Sequence, residues 1–180
     1  SDTYVVSGLQ VSVGKDFHET PVGICTTIHS DNYKVDCLEE IANKNVVEAV
    51  VTIFRTISSD AYKVSGVKVS VGNNFDPAAV EVCAAMHSDN YKVDCLETIA
   101  NKMVPKEVVP IFKTISFDAY KLSGLRIATG KKFDTTSVEI CTAMGPDNYK
   151  VECLEIIADQ TVPHEVVSIL RSISFDSYRI

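Results

Sequence analysis

The seven tyrosines of this chain, Tyr4, Tyr33, Tyr62, Tyr91, Tyr120, Tyr149 and Tyr178, stand 29 residues apart from the first to the last. An aspartate precedes each by two places: Asp2, Asp31, Asp60, Asp89, Asp118, Asp147 and Asp176. A chain that returns to the same residues at a fixed step builds one supersecondary unit per step and buries it against the next, so a stack of layers is expected in place of a single globule. The 180 residues make six units of 29 and a remainder of six, with no insertion or deletion in the frame. Alternate units are the closer copies: DNYKVDCLEEIANK from 31 returns as DNYKVDCLETIANK from 89 and as DNYKVECLEIIADQ from 147. One repeat domain over 1–180 follows, with double repeats 1–58, 59–116 and 117–174, and with 175–180 as the start of a seventh unit or a C-terminal cap.

Each unit reads as two short antiparallel helices. In the even unit from Asp89, that aspartate suits an N-cap, and Val93, Leu96, Ile99 and Ala100 share one helical face. Asn101 suits the left-handed residue just past the helix. Pro105 fits the first turn of a second helix striped by Val108, Val109, Ile111, Phe112 and Ile115, and Pro110 inside it is expected to kink or shorten it. The odd units are less plain, because VSGVKVSVG from Val64 partly alternates like a strand. The shared Asp-x-Tyr start favours a helix there, as do Gly14, Gly72 and Gly130 at the C′ place. Asp76 and Pro77 then suit the N-cap and first position of the second helix. The expected fold is an all-α tandem-repeat solenoid of six two-helix units.

Composition narrows the function. Hydrophobic residues make up 46% of the chain, enough for a buried core, and the formal charge of −7 argues against a nucleic-acid partner, whose phosphates need a basic face. No apolar run approaches the ~20 residues of a membrane helix. No basic and apolar opening segment reads as an intact signal peptide.

All six cysteines keep the 58-residue frame, as Cys25 with Cys37, Cys83 with Cys95, and Cys141 with Cys153. Each pair spans 12 residues across an odd-to-even junction, with the turn midway, so an antiparallel hairpin brings its members face to face. At the even-to-odd junctions the same two slots hold Phe54 with Gly66 and Phe112 with Gly124, a large side chain opposite none. Three disulfides are therefore expected, and with them a secreted, periplasmic or cell-surface location, any signal peptide having been removed ahead of residue 1. The alternative is three pairs of buried thiols in a cytosolic solenoid.

The remaining chemistry is sparse. Cys25, His29 and Cys37, repeated as Cys83, His87 and Cys95, offer three ligands where structural zinc takes four, and Gly145 replaces the third histidine. His18 and His164 have no partner in sequence. Ser7, Ser65 and Ser123 recur beside glycine without a recurring base, and read as small residues that let helices approach. Glu39 and Glu40 read as solvated surface, the second becoming Thr98 and then Ile156. No phosphate-binding glycine loop occurs, and neither an enzyme activity nor a cofactor or metal is expected.

The other regular feature is Asp-x-Tyr-Lys, which sets Tyr33 and Lys34, Tyr62 and Lys63, Tyr91 and Lys92, Tyr120 and Lys121, and Tyr149 and Lys150 in rows. These rows are either a long binding strip or, as favoured, stacking devices: a capping aspartate, a half-buried tyrosine and a solvated lysine. Phe117-Asp118-Ala119-Tyr120-Lys121-Leu122 and Phe175-Asp176-Ser177-Tyr178-Arg179-Ile180 resemble the Phe-Asp-Ser-x-Arg-Leu signature of a domain-of-unknown-function family of short tandem helical repeats. In that family the element follows a helix of the type VVSILRSIS, which stands here at 166–174. The resemblance implies a helical array, often in exported proteins, and no catalytic residues; the paired cysteines and Val-Ser-Gly-rich odd units depart from it. The expected role is a non-enzymatic extracellular structural or protein-interaction module. Its partner would be another protein, or another copy through the repeat ends. The alternative is a small apolar or lipidic ligand held in a groove between helices, whose mark is an apolar pocket of several hundred Å3.

Overall fold

The computed structural model describes residues 1–12, 19–41, 47–71, 76–100, 105–128, 135–157 and 166–174. Among these residues the chain forms helices and no strand: α1 (Asp2–Ser12), α2 (Glu19–Thr26), α3 (Asp31–Ile41), α4 (Val47–Thr56), α5 (Asp60–Ser70), α6 (Pro77–Ala84), α7 (Asp89–Ala100), α8 (Pro105–Thr114), α9 (Asp118–Ala128), α10 (Thr135–Thr142), α11 (Asp147–Ile157) and α12 (Val167–Ser172). Each 29-residue unit supplies two. First helices stack on first helices, α1 on α3 on α5 through to α11, and second helices stack likewise from α2 to α12. The chain is thus a two-layered helical repeat with its core between the layers.

The odd units open with helices, and the alternation that hinted at a strand has a helical explanation. In α5 the buried residues are Asp60, Lys63, Val64, Gly66, Val67 and Ser70, spaced by threes and fours along one face. Tyr62 and Lys68 lie outside that face. The repeat then places like residues in like seats: Ile53, Ile111 and Ile169 are fully buried at steps of 58, as are Leu38 and Leu96.

Several local expectations hold and two do not. Asp76 caps α6 by accepting the Ala78 amide at 2.9 Å, with Pro77 at the first helical position, and Pro105 opens α8. Pro110 does not shorten its helix: α8 is ten residues long, as is the proline-free α4. The ring sits on the exposed side, and the one bond it forfeits falls in the first turns. Asp89 is not an N-cap. It is the first residue of α7, and its carboxylate bonds to the next unit instead. The C′ candidates Gly14, Gly72, Gly130 and Asn101 lie outside the described residues, as do His18, His164 and the segment 175–180.

Candidate functional site

The odd-to-even junctions are covalent. Cys25–Cys37, Cys83–Cys95 and Cys141–Cys153 are disulfides with Cα separations of 5.9, 5.6 and 5.6 Å. All six cysteines are fully buried. The even-to-odd junctions are steric. A methyl group on Gly66 would stand 2.7 Å from Phe54 Cε1 and 2.9 Å from Leu38 Cδ1, and one on Gly124 2.9 Å from Phe112 Cε1, so only glycine admits the ring. Gly8, in the first unit, has nothing within 4 Å of that position.

The recurrent polar residues form a ladder along the stack. In each described unit the aspartate's Oδ2 accepts the backbone amide 27 residues ahead, and at Asp2, Asp31, Asp60 and Asp89 the amide 28 ahead as well, just before the next first helix. Asp60 takes those of His87 and Ser88 at 2.8 and 2.9 Å, and Asp89 takes those of Ser116 and Phe117, both at 2.9 Å. Asp118 takes only the Gly145 amide, at 3.0 Å, because the following residue, Pro146, has none to give. The Oδ1 atoms accept the lysine three places on, from 2.7 Å at Asp118–Lys121 to 3.5 Å at Asp147–Lys150. Position 5 holds valine in place of lysine, and Asp2 there lies 3.8 Å from His29 Nδ1.

This geometry sets the acidity of the aspartates. Burial pushes the Asp60 carboxyl up, but the Ser88 amide, the Lys63 ammonium and the His87 amide together outweigh it and hold it below the ordinary 3.8. Asp89 is likewise held down by the Phe117 amide, Lys92 and the Ser116 amide against the cost of its burial. For Asp31 the Ser59 amide, the Ser58 hydroxyl and Lys34 prevail over burial.

The expected row of solvated lysines is corrected. Lys34, Lys63, Lys92 and Lys150 are buried and Lys121 is half-buried, because each ammonium is drawn onto its aspartate. In the even units a second partner holds it: Lys34, Lys92 and Lys150 donate to the carbonyls of Thr56, Thr114 and Ser172 at 2.5, 2.5 and 2.6 Å. Lys63 and Lys121 have only their aspartates among the described residues. The tyrosines divide the same way. Tyr33, Tyr91 and Tyr149 pack partly buried against the core, whereas Tyr62 and Tyr120 are 41% and 38% exposed, Tyr120 three residues on from a largely exposed Phe117.

Two grooves open where the odd-unit lysines lack that second bond, 58 residues apart. One, of about 330 Å3, is walled by Val109, Phe112 and Ile140 and reaches Lys121 and Ala143. The other, of about 250 Å3, is walled by Val51, Phe54 and Val82 and reaches Lys63 and Ala85. Sequence reading found neither, since nothing in the pattern distinguishes a filled seat from an open one.

The remaining candidates are placed elsewhere. The cysteines beside His29 and His87 are bonded to one another and have no thiolate to offer a metal; His87 Nδ1 lies 3.7 Å from Asp60. Ser65 and Ser123 donate back to the carbonyls of Ala61 and Ala119 within their own helices, so the close approach belongs to the neighbouring glycines. Glu40 accepts from Gln10 at 2.9 Å on the exposed surface. Among the described residues no helix is long and apolar enough to cross a membrane. Compared with protein-family models, curated proteins and solved structures, the chain matches none of them.

Proposed function

We propose that the chain is a non-enzymatic repeat module that works outside the reducing cytosol as a structural or protein-interaction element. The observation that carries this is the ladder. In each described aspartate–lysine pair the aspartate accepts a backbone amide just before the next first helix, so the recurrent charged residues serve the stack. The three disulfides fit an oxidising location, where such bonds persist. The likeness to the short-repeat signature at 117–122 accords with an exported tandem array.

The surface that suits a protein partner is the outward face of the odd units, where Tyr62, Phe117 and Tyr120 stand exposed, since aromatic residues are enriched at such contacts. Self-association is the other partner, for which Val11, 90% exposed, offers an apolar contact. Capture of partners by the intact, oxidised protein tests the reading. A partner that wild type retains and that Phe117→Ser with Tyr120→Ser loses, with helicity unchanged by circular dichroism, supports it. Retention indifferent to those substitutions contradicts it, as does substrate turnover by the purified chain.

A further inference from the structure

The two grooves suggest a ligand site that goes beyond the scaffold reading and does not depend on it. The larger lies between α8, α9 and α10, and its volume of about 330 Å3 falls at the lower end of the ~300–1,000 Å3 typical of small-molecule sites. Val109, Phe112 and Ile140 make its walls apolar, and Lys121 is among its polar lining residues. That lysine is the informative feature.

In every described even unit the equivalent ammonium has two partners, its aspartate and the carbonyl 22 residues on. Lys121 bonds to Asp118 at 2.7 Å, while the corresponding residue, Ala143, belongs to the groove lining and its carbonyl accepts no bond from the lysine. An ammonium has three donors, so Lys121 keeps a donor for an oxygen entering from the groove. The sign of that oxygen follows from the surroundings. Lys113, Lys121, Asp118 and Glu139 are the charged groups at the site, and they sum to zero. An incoming carboxylate would meet Asp118 and Glu139 as well as the lysines, whereas a neutral carbonyl reproduces what Thr114 supplies to Lys92.

We propose that this groove binds a small uncharged molecule with an apolar body and one acceptor oxygen, of the ketone, ester or amide class, with that oxygen on Lys121 Nζ. The smaller groove at Lys63 repeats the arrangement at about 250 Å3 and takes smaller members of the class.

Three probes of matched shape separate the terms: acetophenone, which has the acceptor; cumene, which replaces the carbonyl by a branched carbon; and benzoate, which adds the charge. Each is titrated into the oxidised full chain, with binding followed by NMR of the Val109 and Ile140 methyl groups. Acetophenone is expected to bind about tenfold tighter than cumene, the value of one hydrogen bond to a charged donor, and tighter than benzoate. Lys121→Met is expected to remove the preference for acetophenone over cumene while both still bind. Should that variant fold poorly, Ala143→Trp, at an exposed rim position, leaves the lysine in place and is expected to block all three probes. Equal affinity for acetophenone and cumene overturns the proposal, as does tighter binding of benzoate. Binding that leaves the Val109 and Ile140 methyls unmoved, or no binding at all, also overturns it.

Discussion

Between α2 and α3 the facing slots hold Cys25 and Cys37, joined covalently, while between α4 and α5 the same two slots hold Phe54 and Gly66, where an aromatic ring fills the space a side chain would take. The two junctions alternate down the chain, with Cys83–Cys95 and Cys141–Cys153 on one side of the comparison and Phe112 with Gly124 on the other. Both hold neighbouring units in register, but they fail differently. The staple acts chiefly by restricting the unfolded chain. The ring acts only in the folded state, through close packing, and depends on its partner's having no side chain. The odd-unit lysines and the two grooves described above also lie at the ring-and-glycine junctions.

The largest effect should come from the ring. Phe112→Ala empties a seat between α8 and α9, and the expected loss is about 3–5 kcal/mol in urea unfolding of the oxidised protein. A loss under about 1 kcal/mol would mean that the junction closes without the ring. Removing one staple by Cys83→Ala with Cys95→Ala should cost less, ~2–3 kcal/mol, given the short loop it closes. Staple loss that exceeds ring loss would reverse the order drawn here.

The slots themselves were legible before any coordinates, and the reason is physical. A period of 29 carries every residue to an equivalent seat, so Phe54 opposite Gly66 identified the seats that Cys25 and Cys37 share. The first helices of the odd units were legible from the common Asp-x-Tyr start, and the second helix from Asp76 and Pro77, though the alternation from Val64 pointed the other way. The ladder was not legible. Asp60 was visible as a recurrent residue, but its partners are the backbone amides of His87 and Ser88, which any residue but proline would supply. The burial of Lys63 follows from that unseen partnership, since an ammonium is drawn inward only where a fixed carboxylate awaits it. The grooves were invisible for a further reason: Val109 and Ile140 look alike in sequence whether their seats are filled or open.

Smaller effects sharpen the comparison. Gly66→Ala should destabilise by about 1–3 kcal/mol, because its methyl meets Phe54 and Leu38 under 3 Å. Gly8→Ala, with nothing within 4 Å, should gain up to ~1 kcal/mol from helix propensity alone. Equal effects at the two sites, read as urea midpoints, would show that the ring does not impose the glycine.

Acid should loosen the ladder at both kinds of junction alike. Asp31, Asp60 and Asp89 have pKa values depressed by folding, so their stabilisation is complete above the ordinary 3.8 and is lost as pH falls through the depressed values. The melting temperature of the oxidised protein should therefore be level near neutrality and decline from about pH 5 downward. A melting temperature that stays level to pH 2 would contradict the ladder.

The equivalence of the two kinds of slot is tested most directly by exchanging one for the other. Phe54→Cys with Gly66→Cys places thiols in the seats that Cys25 and Cys37 occupy, at the same separation of 12 residues. Non-reducing mass spectrometry with peptide mapping should find a fourth disulfide, joining positions 54 and 66, beside the three native ones and no free thiol. Two free thiols at positions 54 and 66, or exchange with the native pairs, would show that these slots do not face one another and would contradict the account of the stack.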